Sequence, residues 1–325
     1  FFHAEDGIRD FCLSRGLGDV YKRQYLNNEE CIGIPTETVY GLAANAYSNK
    51  ATKKIFNLKG RPADNPLIVH YYNIQDMEKD CVTNALFYKL YKSLSPGPIT
   101  FILKLKNESK ISKNVTNNKK TLGVRFPSHR IARILLKSLK YPLAAPSANI
   151  SEGISPVTKD DVYDEFGEKI KFILEGGRSK VGIESTIISL VKKPQILRLG
   201  GLDISILSKK LKTNLKTKLH TKSNINSPGR GRIHYSPGIP IRLNAVKIKK
   251  DEAFILIKKK KEKNKNYFYL SKTNNLMESV KNLYKTLRKI KKLGYKKIAV
   301  QTIPNRNFGL VINDRLLRAS KKWKI

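Results

Sequence analysis

The sequence has few cysteines and no long apolar run, and each shortage argues against a class of protein. Only Cys12, Cys31 and Cys81 occur in 325 residues, and no two form a CxxC pair. Neither a disulfide framework nor a zinc knuckle is indicated, so a reducing, cytoplasmic location is expected. No stretch approaches the roughly 20 apolar residues of a membrane span, and the N-terminus has no hydrophobic segment of the secretory type. We therefore expect no membrane partner.

Acidic residues are also scarce, with 26 Asp and Glu against 64 Lys and Arg and a formal net charge of +38. The excess is uneven, because positions 247–297 hold eighteen Lys and Arg against four Asp and Glu. Such a charge attracts nucleic-acid phosphates and predicts a weak, non-specific contact with RNA. Lysine also accumulates on solvated surfaces in AT-rich genomes, so a dedicated RNA-binding function stays the alternative.

The chain divides into four segments by composition. Residues 1–24 look like translated adapter sequence fused to the gene and are left out of fold reasoning. Residues 25–205 alternate short apolar runs with helical patterns, which predicts an α/β catalytic domain with a large sheet. The predicted strands are Cys31–Ile34, Leu67–His70, Ile99–Leu105, Leu122–Phe126, Leu143–Ala145, Phe172–Leu174, Thr186–Leu190 and Gln195–Leu199. The predicted helices are Ala51–Leu58, Asn84–Leu94, Arg130–Leu139 and Asp160–Phe166.

Residues 206–241 are predicted to be a linker, because they are rich in lysine, serine, glycine and proline and lack periodicity. Residues 242–325 predict a smaller C-terminal α/β domain. Its elements are strands Ala253–Ile257, Tyr267–Leu270 and Ile298–Thr302 and a helix Ser279–Leu293, with Gly294 at the position of a C-cap.

Polar side chains that could bind a substrate or act on it are concentrated in the first third of the chain. Pro35–Leu42 reads PTETVYGL, Lys59–Pro62 reads KGRP and Asn65–His70 reads NPLIVH. These blocks supply hydroxyl, amide and cationic groups with almost no carboxylate, an inventory that suits a polyanion beside a small polar molecule. Each residue also has a plain structural interpretation: Thr36 as a local cap, and Lys59 with Arg61 as solvated residues at a helix end.

Four further blocks follow along the chain. In Thr121–Pro127, Thr121 and Arg125 share one face of a predicted strand, and Arg125 is suited to a substrate carboxylate or, alternatively, to a surface salt bridge. The glycine-containing block Ala145–Ser151, which continues through Gly153 to Ser155 and Pro156, predicts backbone N–H groups close to phosphate. The remaining two blocks are Gly182–Ile187 and Leu197–Gly200.

In this order the blocks resemble the L-threonylcarbamoyladenylate synthases, the YrdC-like family, over roughly residues 29–325. The segment Gly309–Ala319 resembles the hallmark of the longer, two-domain members. The linker departs from the family pattern at Arg230, Gly231 and Ile233, whereas His234–Pro237 keeps it. The resemblance implies a twisted, mixed, concave sheet that holds the site, followed by a Rossmann-like C-terminal domain.

The resemblance also implies an activity: ATP, L-threonine and bicarbonate give threonylcarbamoyl-AMP and pyrophosphate. A downstream tRNA-modifying threonylcarbamoyl transferase is the implied partner, and Mg²⁺ is expected with ATP without a dedicated protein site. The implied threonine-binding residues are Thr38, His70, Arg125, Ala145 (through its backbone) and Ser185. The implied ATP-binding residues are Arg61, Asn65, Thr121, Ser147, Ser155, Arg198 and Tyr235. Lys59, Arg61, Ser147 and Asn149 are the catalytic candidates.

Two other functions compete with this interpretation. One is a non-catalytic RNA-binding module that uses the basic concave surface. The other is a hydrogenase-maturation carbamoyltransferase, which is disfavoured because its paired-cysteine zinc motifs and acylphosphatase-like region are missing from the sequence.

Overall fold

The computed structural model describes residues 23–213, 215, 234–262 and 264–320. The first part is built on a nine-stranded mixed sheet in the order β1-β2-β7-β3-β6-β5-β8-β9, with β4 paired to β5. Only β3–β6 and β5–β8 are parallel pairs. The strands are β1 Ile32–Ile34, β2 Gly41–Asn45, β3 Ile68–His70, β4 Cys81–Val82, β5 Ile99–Leu105, β6 Thr121–Arg125, β7 Leu143–Ala144, β8 Thr186–Ser189 and β9 Gln195–Arg198.

Helices connect these strands, and their ends follow local capping chemistry. Ser48 accepts a hydrogen bond from the Ala51 backbone N–H at 3.0 Å, so the first helix begins two residues before the predicted Ala51. Thr158 and Asp161 form a capping box at another helix. The helices are α1 Asn49–Lys59, α2 Ile74–Glu78, α3 Ala85–Leu94, α4 Lys113–Thr116, α5 Arg130–Ser138, α6 Lys159–Phe166 and α7 Ile204–Leu211. Residues 23–27 are also helical.

One predicted strand is wrong. Phe172–Leu174 forms only an isolated parallel bridge, between Ile173 and Gly33. The Gly33 N–H donates to the Phe172 carbonyl and the Leu174 N–H donates to the Gly33 carbonyl, so the pairing is made through a single residue of β1.

The C-terminal part is a four-stranded, fully parallel sheet in the order β10-β13-β11-β12. Its strands are β10 Ile241–Arg242, β11 Glu252–Lys258, β12 Tyr267–Ser271 and β13 Lys297–Val300, and its helices are α8 Leu276–Lys292 and α9 Phe308–Ser320. Helix α8 begins three residues before the predicted Ser279, because the Asn275 side chain caps the N–H groups of Met277 and Glu278. Gly294 follows its end with φ +79°, as the sequence predicts.

The predicted divisions of the chain fall inside elements. The division at 205/206 lies within α7, and the division at 241/242 lies within β10. Leu207 of α7 is fully buried in the same hydrophobic cluster as Ile183 of the first part and Leu283 of α8. Helix α7 therefore packs into a core that the two parts share. None of the helices in the described ranges is long and apolar enough to cross a membrane.

Candidate active site

A small cavity of about 40 Å³ lies against the larger sheet and is closed by His234 and Tyr235. It has room for only a few water molecules in this conformation. Three arginines, two histidines and several hydroxyl groups face it. Its lining is Thr36, Val39, Tyr40, Gly41, Arg61, Ile68, His70, Arg125, Ala145, Pro146, Ser147, Glu184, Ser185, Arg198, His234 and Tyr235.

Arg61 is positioned by the end of α1. Gly60 takes a left-handed conformation with φ +56°, which terminates the helix and turns Arg61 toward the cavity. The guanidinium donates to the carbonyls of Asn65 and Pro66 at 3.0 and 2.9 Å. Burial and the nearby Arg198 lower the pKa of Arg61 to about 10, so the group stays charged at neutral pH. No carboxylate within the described residues pairs with this buried charge, which makes it a receptor for an anion.

Arg125 lies beside His70, since β6 and β3 pair in parallel with these two residues in register. Its guanidinium is paired with the buried Glu37 carboxylate at 2.7 Å, so the salt bridge is buried and not on the surface. Nε of Arg125 and Nδ1 of His70 have no hydrogen-bond partner. Burial and the Arg125 charge hold the pKa of His70 well below its usual value, so the ring is neutral. A buried wall with unused polar atoms is suited to a small polar ligand.

Arg198 and Ser185 form the opposite wall. Arg198 donates through Nε and Nη2 to the Ser185 carbonyl at 3.1 and 2.9 Å, and through Nη2 to Ser185 Oγ at 3.1 Å. Ser185 Oγ also hydrogen-bonds Thr100 Oγ1 at 2.7 Å. Burial lowers the pKa of Arg198. These contacts fix the hydroxyl and the guanidinium relative to each other.

The loop 145–149 is held from beneath by Lys59. This lysine is buried, and its Nζ donates to the Ser147 carbonyl at 2.6 Å and to the Asn149 carbonyl. Asn149 Nδ2 donates in turn to the carbonyls of Ile150 and Gly153 at 2.7 and 3.0 Å. Lys59 and Asn149 therefore shape the loop that presents Ser147 to the cavity.

A buried polar network joins the cavity to the C-terminal part. Glu184 accepts hydrogen bonds from Ser155 Oγ at 2.5 Å, from Tyr284 OH at 2.9 Å and from Arg315 Nε at 3.1 Å. Burial alone would raise the pKa of Glu184, but the charges of Arg315 and Arg198 outweigh it and the pKa is lowered. Glu184 is therefore ionised, and its charge is compensated across the interface.

Tyr235 lies on this network. The Arg315 guanidinium carbon is 4.5 Å from the centre of the Tyr235 ring, and the Tyr284 ring stacks on it at 6.0 Å. Tyr235 is buried with φ +64°, a left-handed conformation that side chains other than glycine rarely adopt. Its hydroxyl has no partner and faces the arginine-lined cavity. The cation–π contact and the stacking hold this strained residue in place.

The structure brings together most, but not all, of the residues that the sequence indicated. Eight of them line the cavity: Arg61, His70, Arg125, Ala145, Ser147, Ser185, Arg198 and Tyr235. Thr38, Lys59, Asn65, Asn149 and Ser155 are buried but do not line it. Thr121 is at the opposite end of β6 from Arg125, about 13 Å away along the strand, because each strand residue advances roughly 3.3 Å. Thr36 Oγ1 donates to the nearby Val39 carbonyl, which agrees with its interpretation as a local cap, and Thr186 Oγ1 donates to the Leu202 carbonyl, 16 residues away.

Sequence reasoning missed the buried carboxylates and their partners. Glu37 and Glu184 are inside the quoted motifs, yet neither was assigned a role. Arg315 and Tyr284 are 131 and 100 residues away from Glu184 along the chain. The only available signal was a single acidic residue inside each block, and it does not identify its partner.

Comparison with known proteins identifies the family of the chain. A family model described as "Telomere recombination" matches residues 24–200, and one described as "Threonylcarbamoyl-AMP synthase, C-terminal domain" matches residues 192–321. The threonylcarbamoyl-AMP synthase of Pyrococcus abyssi is 35% identical, over 91% of this chain and 92% of its own. That of Schizosaccharomyces pombe is 30% identical, over 90% of this chain and 86% of its own. The crystal structure of P. abyssi Sua5 complexed with L-threonine superposes with a TM-score of 0.84 at 31% identity, covering 93% of this chain and 94% of that one.

The chain therefore belongs to the threonylcarbamoyl-AMP synthase family, in the form that carries the C-terminal domain. The predicted family and the predicted α/β class with a large mixed sheet and a C-terminal domain are both confirmed.

Proposed function

We propose that this chain synthesises L-threonylcarbamoyl-AMP, the first step of N6-threonylcarbamoyladenosine formation in tRNA. The threonine amine and bicarbonate give a carbamate with loss of water. A carbamate oxygen then bonds to the α-phosphorus of ATP, the bond from that phosphorus to the β-phosphate bridging oxygen breaks, and pyrophosphate leaves. No covalent nucleophile of the protein is required, so alignment and charge compensation carry the catalysis.

The observation that carries the proposal is the buried Arg61 charge, which has no carboxylate partner among the described residues and faces a cavity that also contains Arg198. Two guanidinium groups can hold phosphate oxygens through charge-assisted hydrogen bonds and stabilise the departing pyrophosphate. Ser147 and the Tyr235 hydroxyl face the same space and complete the proposed ATP subsite. We assign Asn65, Ser155 and Thr121 to ATP only as predictions from the family resemblance.

The proposed threonine subsite is the wall of His70, Arg125 and Ser185, with the backbone of Ala145. The unpartnered Nε of Arg125 can donate to the threonine carboxylate, although the guanidinium is already paired with Glu37. The unpartnered Nδ1 of the neutral His70 is suited to a hydroxyl or amine of the substrate. Thr38 stands behind this wall, with its hydroxyl 2.9 Å from that of Thr36.

Magnesium is proposed to arrive with ATP. No group of three or more His, Cys, Asp or Glu suited to a metal occurs in the described ranges. The two carboxylates nearest the cavity, Glu37 and Glu184, are both paired with arginines, so neither is a free ligand. The phosphates are therefore the proposed Mg²⁺ ligands, and no step is assigned to the protein through this ion.

The proposed subsites require movement of His234 and Tyr235, because 40 Å³ cannot hold ATP. Residues 216–233 of the predicted linker are outside the described residues. We propose that His234 and Tyr235 move away to admit ATP and threonine and then return, with Tyr235 on the nucleotide, which excludes water from the labile adenylate. A passive tether is the competing interpretation.

The non-catalytic RNA-binding module is the second candidate, and the +38 charge favours it. Measurement of ATP turnover distinguishes the synthase from the RNA-binding module. Pyrophosphate release from ATP should depend on both threonine and bicarbonate, and it should fall by more than about tenfold in Arg61→Ala. Release that is absent under all conditions, with RNA still bound, would favour the module. We expect a cytoplasmic protein, since Cys31 and Cys81 are free and buried.

A further inference from the structure

Two side chains of the C-terminal part contact a residue that closes the proposed active site. The Tyr284 ring of α8 stacks on the Tyr235 ring with 22° between the two planes. The guanidinium carbon of Arg315, on α9, lies 4.5 Å from the centre of the same ring. Neither Tyr284 nor Arg315 lines the cavity itself. Two helices outside the larger sheet therefore converge on Tyr235 from behind the site.

Both side chains are fixed to the first part through one carboxylate. The Tyr284 hydroxyl donates to the two Glu184 oxygens at 2.9 and 3.0 Å, and Arg315 Nε donates to one of them at 3.1 Å. Burial raises the pKa of Tyr284 well above its usual value, so the hydroxyl keeps the proton that it donates. Arg315 Nη2 also donates to the Leu199 carbonyl at 2.6 Å. We call Tyr284, Arg315 and Glu184 the Tyr235 clasp.

The backbone that follows Tyr235 is held in a different way. The Ser236 N–H donates to the Glu152 carbonyl at 2.8 Å, and Ser236 forms a parallel bridge with Gly153. The first part therefore holds this backbone, whereas the clasp contacts the Tyr235 side chain. Tyr235 has φ +64°, and a residue in such a conformation persists only where its surroundings hold it.

We infer that Tyr284 and Arg315 are positioning residues for the reaction, which hold the Tyr235 side chain closed over the cavity without touching a substrate. The inference rests on the proposed function, in which Tyr235 closes on the nucleotide. It gives the C-terminal part a role in catalysis that neither its fold nor its own surface indicates. The competing interpretation is that these contacts only dock the two parts and stabilise the fold.

Hydrogen exchange of the full chain without ligand, followed by mass spectrometry, tests the holding itself. Tyr284→Leu removes the stacked ring and a donor to Glu184, so the amides of residues 234–239 should exchange at least about tenfold faster. Tyr284→Phe keeps the ring and should exchange like the unchanged chain. Arg315→Lys keeps a positive charge beside Glu184 but lacks the planar group over the ring, and it should also speed the exchange. This variant replaces Tyr284→Leu if the latter does not fold.

Arg178→Met is the matched control at the same interface. Arg178 Nη2 donates to the Lys281 carbonyl at 2.8 Å and to Asn282 Oδ1 at 3.1 Å, so this variant loses contacts with α8 but none with Tyr235. Its residues 234–239 should exchange as in the unchanged chain. Equal acceleration in the control and in the clasp variants would show that the contacts only dock the two parts. Unchanged exchange in the clasp variants would overturn the inference.

Pyrophosphate release then tests whether the holding serves the reaction. Tyr284→Leu should lower kcat/KM for ATP at least about tenfold, and Tyr284→Phe should restore it. Because the effect acts through Tyr235, adding Tyr284→Leu to Tyr235→Ala should cause little further loss. A second loss of the same size in that background would assign Tyr284 to folding alone and contradict the positioning role.

The two measurements separate this inference from the proposed function. An unchanged chain that releases no pyrophosphate would refute the synthesis, whereas the exchange measurement, made without ATP or threonine, would still decide whether the C-terminal part holds Tyr235. Release that stays intact in variants whose residues 234–239 exchange faster would refute the positioning role and leave the synthesis in place.

Discussion

The buried pair between Arg315 and Glu184 should be a main determinant of stability, and Arg315→Met tests it. The two groups are 3.1 Å apart, with side-chain exposures of 1% and 6%. Methionine has a similar length but leaves Glu184 ionised without this partner and removes the donor to the Leu199 carbonyl at 2.6 Å. Breaking a buried pair by removing one member costs about 3–5 kcal/mol. At this chain length, that corresponds to a fall of about 4–7 °C in Tm if the chain unfolds as one unit.

A matched control crosses the same interface on the surface. Lys292 and Asp164 are 2.6 Å apart, but their side chains are 62% and 39% exposed. Lys292→Met should cost no more than about 1 kcal/mol, because exposed pairs are screened by solvent. Thermal unfolding followed by circular dichroism measures both variants. Equal effects of the two substitutions would refute the argument that burial makes the first pair matter.

The pH dependence has a defined sign. In the unchanged chain the pKa of Glu184 is lower in the folded state than in the unfolded state. The Arg315–Glu184 pair therefore stabilises the fold at pH values above the unfolded-state pKa, and this contribution is lost as the pH falls through the folded-state pKa. Without Arg315, one fewer positive charge opposes the effect of burial on the pKa of Glu184, and protonation at low pH then relieves part of the lost compensation. The stability gap between the unchanged chain and Arg315→Met should therefore narrow from pH 7 toward pH 4. A gap that widens would contradict this assignment.

Four further predictions follow from the site. Arg61→Ala should lower threonine-dependent pyrophosphate release by more than about tenfold, since a charge-assisted hydrogen bond contributes roughly 1.5–3 kcal/mol; near-unchanged kinetics in a folded variant would remove Arg61 from the ATP subsite. Threonine should be used in strong preference to valine, because a valine leaves a polar partner unpaired, and equal use measured by pyrophosphate release would count against the pocket. Gly200→Ala should impair both folding and activity, because the new Cβ would lie 2.3 Å from the Glu184 carbonyl oxygen and 2.5 Å from the Ser185 carbonyl oxygen. Gly123→Ala is the control: its Cβ would meet a flexible Ile102 methyl group at 3.3 Å, so thermal unfolding should show little change. Trypsin cleavage after Arg230 and Arg232 should slow when ATP and threonine are both bound, and an unchanged rate together with full activity in Tyr235→Ala would reduce the linker to a tether.

Regular elements with a clear period could be predicted from the sequence. Strand Ile99–Leu105 has its predicted bounds. Helix α8 begins three residues before its predicted start, because Asn275 caps it, and ends one residue before its predicted end. Strand β2 was missed, because Gly41–Asn45 lies between two neighbours and is buried on both faces, so it shows no alternation. Phe172–Leu174 was assigned to a strand because it is a short apolar run. Such a run does not show how many of its residues pair with a neighbouring strand.

The site could be predicted only in part, because local motifs do not show which residues meet across the fold. Motifs identify which side chains are polar, and eight of those residues do face one cavity. The cation of Arg125 was recognised, but its pairing with Glu37 was not, because a buried salt bridge depends on how β6 packs against the loop that follows β1. The contacts of Arg315 with Glu184 and Tyr235 join segments far apart in sequence, and local patterns contain no trace of them.

The most direct test of the central claim is mass spectrometry of the reaction with ATP, threonine and ¹³C-labelled bicarbonate. The account predicts a threonylcarbamoyl-AMP species that is heavier by one mass unit than with unlabelled bicarbonate, together with pyrophosphate. The species should be absent when threonine is omitted and strongly reduced in Arg61→Ala. Pyrophosphate without this adenylate, or an adenylate that does not carry the label, would contradict the proposed chemistry.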